Sequence, residues 1–267
     1  GSTANGRWLE EHARQAQVYT EKAGVNQVIV DSATDFKGLV RNLAFSIALY
    51  SGQMCTAPQN IYVPRDGIDT GDGHLTFDAV AAALAEGVDK LLADPARAVE
   101  VLGAVVNDSV IRRLEAARSL GDIALDTRTI EHPQFPGATI RTPLIVKLKK
   151  SDRATYLNEW FGPIAFVIAT DSTADSLAIA RDAVAGHGAL TMAVYSTRDD
   201  VIARAIDVAE DVGVALSINL TGTVFVNQSA AFSDFHGTGA NPAANAALTD
   251  AAFVASRFRV VQHRAHI

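Results

Sequence analysis

The sequence contains very little cysteine, with Cys55 as the only one among 267 residues. A disulfide framework within the chain is therefore excluded, and a lone thiol is typical of a reducing compartment. No apolar run approaches the roughly 18 residues that span a bilayer. The formal net charge of −7 argues against nucleic-acid partners held by phosphate contacts. The chain opens without the charged and apolar regions of a secretory signal. We therefore expect a cytoplasmic protein without nucleic-acid or membrane partners.

Hydrophobic residues make up 48% of the chain, which is enough to bury a sizeable core. Short β-branched runs alternate with segments of helical periodicity. The predicted strands are 27–30, 60–63, 144–148, 164–169, 190–195, 214–219, 223–227 and 257–263. The predicted helices are 8–17, 35–50, 77–92, 107–120, 175–185, 199–212 and 244–255, and residues 69–75, 121–141 and 228–243 are predicted as turn or loop. This alternation predicts an α/β fold, a mainly parallel open sheet flanked by helices.

Cys55 lies between a predicted helix and a predicted strand, in a segment interrupted by Gly52 and Pro58. A lone cysteine is most often a small buried apolar residue. Small polar neighbours and a tight turn at the edge of a sheet instead favour an accessible nucleophile. A reactive thiolate at this position would need N–H donors or positive potential around it.

Two carboxylates and a glycine-rich start are the other candidates for chemistry. Glu21 and Glu159 each stand beside a turn, and taken alone each is an exposed charge. Gly1, Ser2 and Gly6 lie at the start of the chain, where glycines let a phosphate approach the N–H groups of a helix N-terminus. Gly-Ser is also a frequent remnant of an expression tag. No pair of histidines or cysteines has the spacing of a metal site, so no metal is expected.

Together these segments resemble the aldehyde dehydrogenase superfamily. Gly1, Ser2 and Gly6 are similar to its Gly-Ser-Thr-x-x-Gly motif at the cofactor phosphates. Glu21 resembles the general base of the Glu-Leu-Gly-Gly motif, and Cys55 resembles the nucleophile of the Gly-Gln-x-Cys motif. The interval of 34 residues between Glu21 and Cys55 is the spacing found in the family.

The resemblance continues into the second half of the chain. Glu159 and Phe161 look like the Glu-x-Phe-Gly-Pro motif that holds the nicotinamide ribose. Phe232 and residues 238–239 look like part of the substrate loop, which implies that Phe232 binds substrate. The sequence around Cys55 is most similar to the phenylacetate-degradation branch of the family.

Several positions depart from the family pattern. Lys22 follows the predicted base where leucine is usual, and Tyr50 stands where asparagine is frequent. Ser233 and Asp234 replace the glycine pair of the substrate loop, and His236 stands where lysine is frequent. These departures concern the geometry of the substrate and the cofactor more than the nucleophile.

The resemblance implies oxidation of a small-molecule aldehyde to a carboxylic acid with NAD or NADP, through a thiohemiacetal and a thioester on Cys55. A carboxylate at Glu21 favours release of a free acid over transfer to CoA. The implied domains are a remnant of the NAD-binding domain at 1–24, a catalytic domain at 25–243, and a C-terminal helix and oligomerisation strand at 244–267. That strand is expected to build a homodimer or homotetramer.

Full family members carry most of a dinucleotide-binding domain upstream of the segment that opens this chain. We therefore interpret the chain as a catalytic half, which by itself is expected neither to bind NAD tightly nor to oxidise aldehydes.

Two other function classes stay open at this point. One is a cysteine-dependent hydrolase or esterase, which would need a histidine base near Cys55 and would cleave an activated ester without NAD. The other is a non-catalytic oligomerisation module of the same fold, which would assemble normally with an unreactive Cys55.

Overall fold

The computed structural model describes residues 2–16, 18–22, 24–231, 237–244 and 261–266. Its helices are α1 (Thr3–His12), α2 (Phe36–Ala48), α3 (Phe77–Leu91), α4 (Pro95–Leu102), α5 (Asp108–Ala117), α6 (Arg153–Tyr156), α7 (Thr173–His187), α8 (Asp199–Val212) and α9 (Val226–Ala231). Its strands are β1 (Gln27–Val30), β2 (Ser32–Ala33), β3 (Asn60–Pro64), β4 (Ile68–Thr70), β5 (Gly73–Leu75), β6 (Asp122–Leu125), β7 (Thr129–Ile130), β8 (Ile140–Arg141), β9 (Leu144–Lys149), β10 (Ile164–Thr170), β11 (Thr191–Tyr195), β12 (Ala215–Ile218) and β13 (His263–Ala265).

One eight-stranded sheet organises the molecule, in the order β13-β12-β11-β1-β3-β10-β9-β6. Every pair in this sheet is parallel except β6 with β9 at one edge. Two small sheets, β2-β4-β5 and β7-β8, lie apart from it. The predicted α/β fold with a mainly parallel sheet is therefore confirmed.

The central strands β1, β3 and β11 are buried along their whole length because helices cover both faces of the sheet. Val28, Val30 and Ile61 face one core with α2, α3 and α4. Ile29 and Tyr62 face a second core with α7 and α8. Strict alternation within β1 thus supplies both cores from one strand, which explains why the sequence shows an unbroken β-branched run there.

An ion pair between a buried carboxylate and a half-exposed arginine lies at the carboxyl edge of the sheet, just after β1. The carboxylate of Asp31 is held by the guanidinium of Arg198, with the nearer nitrogen 2.6 Å away. Burial acts to raise the pKa of Asp31, but the hydrogen bonds to the charged form outweigh it and lower the pKa. The donors are Arg198, Ser196, Thr173 and Ser32. The charges of Asp31 and Arg198 at this edge of the sheet therefore serve to hold the fold together.

Several predicted elements differ from the structure. The predicted strand at 223–227 is wrong, since α9 begins at Val226. The side chain of Asn42 in α2 donates to the Val224 carbonyl and accepts from the Val226 N–H, and Asn227 donates to the Ser46 carbonyl. These bonds supply α2 as a partner for the segment, in place of a neighbouring strand.

Smaller differences concern short elements and boundaries. The predicted turn at 69–75 contains most of the antiparallel pair β4 and β5, and residues 121–141 contain β6, β7 and β8. The first helix is Thr3–His12, earlier than predicted, and α4 was not predicted. Asn107 caps α5, with its Oδ1 accepting from the Ser109 N–H at 2.8 Å.

The C-terminal predictions fall largely beyond the described ranges, which leave out 245–260. The predicted helix at 244–255 and most of the predicted strand at 257–263 lie in that gap. The strand that is described, His263–Ala265, pairs in parallel with β12 of the same chain and forms an edge of the large sheet. Among the described residues, no helix combines the length and apolar character needed to cross a membrane.

Candidate active site

The segment that carries Cys55 begins with a tight turn directly after α2. Tyr50, Ser51 and Gly52 all adopt left-handed backbone angles, with φ values of 54°, 54° and 62°. A side chain at Gly52 would collide with the carbonyl oxygen of Gly162, so the turn packs backbone against backbone there. The glycine seen in the sequence is thus required by a close approach as well as by its conformation.

Hydrogen bonds from two polar side chains fix this turn to the neighbouring loop. The amide of Gln53 donates to the carbonyls of Tyr50 at 3.0 Å and Ala104 at 2.9 Å. The hydroxyl of Ser51 lies 3.3 Å from the carbonyl of Gly103. The side chain of Cys55 has intermediate exposure, so the interpretation of Cys55 as an inert core residue receives no support from its burial.

A small pocket brings Cys55 together with the predicted cofactor residues Glu159 and Phe161. Its walls come from the segments that precede β1, β3 and β10. The remaining lining residues are Gly24, Asn26, Gly52, Met54, Ala57, Pro58, Gln59, Trp160, Gly162 and Ile164. Because those three strands are parallel, their amino ends meet at one edge of the sheet, which is where this pocket lies.

Glu159 is half-buried at this edge and is contacted from two helices. The hydroxyl of Thr3 in α1 donates to its carboxylate at 3.3 Å. Burial raises the pKa of Glu159, and the Thr3 hydrogen bond and the positive charge of Arg113 in α5 oppose that rise. Arg113 also donates to the Phe161 carbonyl at 3.0 Å. One arginine therefore acts on both predicted cofactor residues of this turn.

The predicted phosphate-side motif forms the start of α1. The Ser2 hydroxyl caps this helix and accepts from the Asn5 N–H at 3.2 Å. Gly6 is buried against the side chain of Lys22, which pairs with Glu10 at 2.6 Å. The start of α1 is thus held beside Glu159. Gly1 lies outside the described residues.

Glu21 and Cys55 lie on different segments of the chain, and both segments contact residues 243–244. Glu21 forms a β-bridge with Ala244, and the Lys22 N–H donates to the Ala243 carbonyl at 2.5 Å. Cys55 packs against a small apolar cluster that includes Ala243 and Ala244. The predicted base and nucleophile therefore contact the same segment. Phe232, Ser233, Asp234 and His236 lie outside the described residues.

Sequence analysis missed three polar residues that hold this site: Arg113, Gln59 and Asn26. Gln59 accepts from the Trp160 N–H at 2.7 Å and donates to the Asn158 carbonyl at 2.9 Å, so it grips both neighbours of Glu159. The available signal was a polar amide directly before a buried strand, found at Asn26 before β1 and at Gln59 before β3. Within the described ranges, no group of three or more potential ligands could hold a metal ion.

Comparison with known proteins places these residues in context. Residues 1–245 match the model of the aldehyde dehydrogenase family. A vanillin dehydrogenase from Pseudomonas fluorescens is 30% identical over 202 residues, covering 73% of this chain and 38% of that protein. A 2-aminomuconic 6-semialdehyde dehydrogenase from Pseudomonas sp. is 27% identical over 207 residues, covering 74% of this chain and 38% of that protein. The chain thus spans under half the length of these curated relatives.

A solved structure agrees with these matches. The chain is 67% identical in sequence to an NAD-dependent aldehyde dehydrogenase from Burkholderia multivorans, whose crystal structure superposes on it with a TM-score of 0.92. The superposition covers 97% of this chain and 46% of the Burkholderia chain. Because the family model matches most of the sequence and this structure superposes closely, the chain belongs to the aldehyde dehydrogenase family.

Proposed function

We propose that the protein carrying this chain oxidises an aldehyde to a carboxylic acid with NAD or NADP. The observation that carries the proposal is the pocket in which Cys55, Glu159 and Phe161 meet, beside the start of α1. A partly exposed thiol, a half-buried carboxylate and a helix N-terminus are the groups that thioester chemistry and a dinucleotide require.

Cys55 is the proposed nucleophile. Its thiolate attacks the aldehyde carbon and gives a thiohemiacetal, whose oxygen carries negative charge as it forms. Its own backbone N–H is the donor proposed to stabilise that charge, and one such donor typically contributes about 3 to 4 kcal/mol to the transition state. The fixed turn around Gly52 holds this N–H in place before the substrate arrives.

Glu159, Phe161, Ser2 and Thr3 are the described residues that would hold the cofactor. The Glu159 carboxylate lines the pocket and can accept hydrogen bonds from ribose hydroxyls, while the N–H groups at the start of α1 suit a phosphate. These residues fit the nicotinamide end of a dinucleotide. When bound, the cofactor accepts the hydride that leaves the thiohemiacetal carbon.

Glu21 is the proposed general base for the final step. It takes a proton from water, the water oxygen attacks the thioester carbon, and the Cys55 thiolate leaves as the carboxylic acid is released. Its bridge to Ala244, beside the cluster against which Cys55 packs, supports this assignment.

The proposed substrates are aldehydes formed in the breakdown of aromatic compounds, as in phenylacetate catabolism. Trp160 and Phe161 line the pocket and offer aromatic surface to such a substrate. The similarity to a vanillin dehydrogenase supports the same class. A single cysteine in the sequence suits a reducing location such as the cytoplasm.

A Glu21→Gln variant tests the mechanism in the complete protein that carries this sequence. We expect one burst of NADH per active site followed by a stall, because acylation of Cys55 proceeds and hydrolysis of the thioester does not. Stopped-flow absorbance measures both phases, with Cys55→Ser as the control that abolishes the burst. Unchanged steady turnover in Glu21→Gln contradicts the role of Glu21. Ester hydrolysis without NAD and no aldehyde oxidation would support the hydrolase alternative.

A further inference from the structure

We propose that Asn26 is a positioning residue that holds the nucleophile segment through its side-chain amide. Asn26 is 2% exposed and directly precedes β1. Its Nδ2 donates to the carbonyl of Cys55 at 2.8 Å and to the carbonyl of Ala57 at 2.9 Å. A single amide group thus forms hydrogen bonds with the proposed nucleophile residue and with the residue two positions later. The role in catalysis rests on the proposed function, whereas the contact with Cys55 does not.

The other end of the same side chain is anchored at the start of a different strand. Its Oδ1 accepts from the N–H of Leu190 at 3.0 Å and from the N–H of Thr191 at 3.1 Å. Both donors and both acceptor positions of the amide are therefore used. Leu190 belongs to the apolar cluster that packs against Cys55, so Asn26 binds both the Cys55 segment and a neighbour of that residue.

The backbone of Asn26 adds a third connection. Its carbonyl accepts from the N–H of Asn60 at 3.1 Å, at the start of β3. The residue therefore links the amino ends of three neighbouring strands, β3, β1 and β11, and its side chain binds the Cys55 segment to them. Fixing the Cys55 carbonyl fixes the peptide plane that follows Cα of Cys55, and this limits the directions in which the thiol can point.

Neither aspartate nor serine supplies the same set of bonds. Aspartate is nearly isosteric and keeps the acceptor, but it presents oxygen to the two carbonyls. Serine is too short to reach from Leu190 to Cys55. Loss of the amide leaves two carbonyls at a mostly buried position without their donor, so the segment is expected to move until they find another.

The test uses the fact that Cys55 is the only cysteine, so that alkylation reports on this thiol alone. Iodoacetamide labelling of the 267-residue chain is followed by mass spectrometry across a range of pH, for wild type, Asn26→Ser and Asn26→Asp. We expect both variants to be labelled several-fold faster, because the thiol is released from its partly buried position. Each variant is measured well below its own melting temperature.

Asn42→Ser is the matched control. Asn42 is also fully buried, and its amide likewise donates to one backbone carbonyl and accepts from one N–H, those of Val224 and Val226. We expect a comparable loss of stability with an unchanged labelling rate. Equal acceleration in the Asn42 and Asn26 variants, or no acceleration in the Asn26 variants, would overturn the proposal.

Two further measurements separate the remaining outcomes. In the complete protein, Asn26→Asp should lower kcat roughly 10- to 100-fold while KM for the cofactor stays unchanged. The two proposals can fail separately. If the Asn26 variants are labelled faster but the complete wild-type protein oxidises no aldehyde, the proposed function is rejected and the positioning role of Asn26 stands. If neither Asn26 variant folds, the side-chain NH₂ resonances of Asn26 in the wild-type chain decide. They should shift when Cys55 is alkylated, and unshifted resonances overturn the proposal.

Discussion

Glu159 is the residue whose charge depends most on its place at the edge of the sheet. Partial burial favours its neutral form, whereas the Thr3 hydroxyl and the Arg113 charge favour the ionised form, and burial dominates. A carboxyl group whose pKa is raised by folding stabilises the protein fully below its unfolded pKa. That contribution is lost as the pH rises through the folded pKa.

A Glu159→Gln variant should reveal this cost of ionisation. Glutamine keeps the shape of the glutamate side chain and stays neutral at every pH. The free energy of unfolding of the variant, relative to that of wild type, should therefore increase as the pH rises from below about 4.3 through the folded pKa of Glu159. Above that pKa the difference should become constant. Urea denaturation at a series of pH values measures it, with Glu11→Gln, an exposed position on α1, as the control. A difference that falls with rising pH contradicts the prediction.

The motifs identified in the sequence include Cys55, Glu159 and Phe161, which the structure brings into one pocket although the first two are 104 positions apart. They did not predict Asn26 or Gln59. An amide before a strand has no periodic signature, and its partners lie on loops far along the chain. The roles of Glu21 and Phe232 stay predictions.

At the scale of elements, the turn before Cys55 depends on a glycine for two separable reasons. Gly52 has a left-handed φ, and its Cα faces the backbone of Gly162 without room for a side chain. The left-handed backbone alone costs a non-glycine residue roughly 1 to 2 kcal/mol. The steric conflict adds to this cost and pushes the nucleophile turn away from the turn that carries Glu159.

Gly52→Ala should therefore lower the free energy of unfolding by roughly 2 to 4 kcal/mol. Tyr50→Gly is the control, since Tyr50 has a left-handed backbone (φ 54°, ψ 31°) and an exposed side chain. Glycine there should raise the free energy of unfolding by roughly 1 to 2 kcal/mol, which is the left-handed backbone cost alone. Chemical denaturation measures both variants. A loss in Gly52→Ala no larger than the gain in Tyr50→Gly would show that the contact with Gly162 carries no strain.

Prediction of elements succeeded where periodicity and burial agree. β1 was predicted at its observed bounds because all four of its residues are apolar or buried between two helical layers. The segment 223–227 has the β-branched and aromatic content of a strand, yet it leads into α9 because buried Asn42 and Ser46 of α2 bind its backbone and Asn227. Such competition between a local pattern and a distant partner is invisible without the fold.

At the scale of the whole molecule, β13 is an edge strand of the large sheet within the described ranges. The strand His263–Ala265 pairs with β12, and the Leu216 N–H donates to the Gln262 carbonyl at 2.8 Å. An edge of this kind exposes N–H and C=O groups that a second chain can use. We therefore retain the proposal that the C-terminal segment builds a homodimer or homotetramer.

Deletion of residues 257–267 tests this proposal. We expect the mass measured by light scattering to fall toward that of one chain, because the pairing edge is removed. Deletion of residue 267 alone is the control and should leave the mass unchanged. An oligomer that survives the longer deletion contradicts the role of this segment, and circular dichroism establishes whether the shortened protein keeps its fold.

The order of strands in the sheet has a consequence for the making of the protein. β1 pairs with β3, which follows closely in the chain, and with β11, which is synthesised much later. The hydrogen bond from Asn26 to the Cys55 carbonyl can therefore form early in synthesis. The hydrogen bonds from the N–H groups of Leu190 and Thr191 can form only after those residues have been made. While the chain is still emerging from the ribosome, the thiol of Cys55 is present without the framework that aims it. Contacts so distant in sequence form slowly, so the thiol acquires its final surroundings only as folding nears completion.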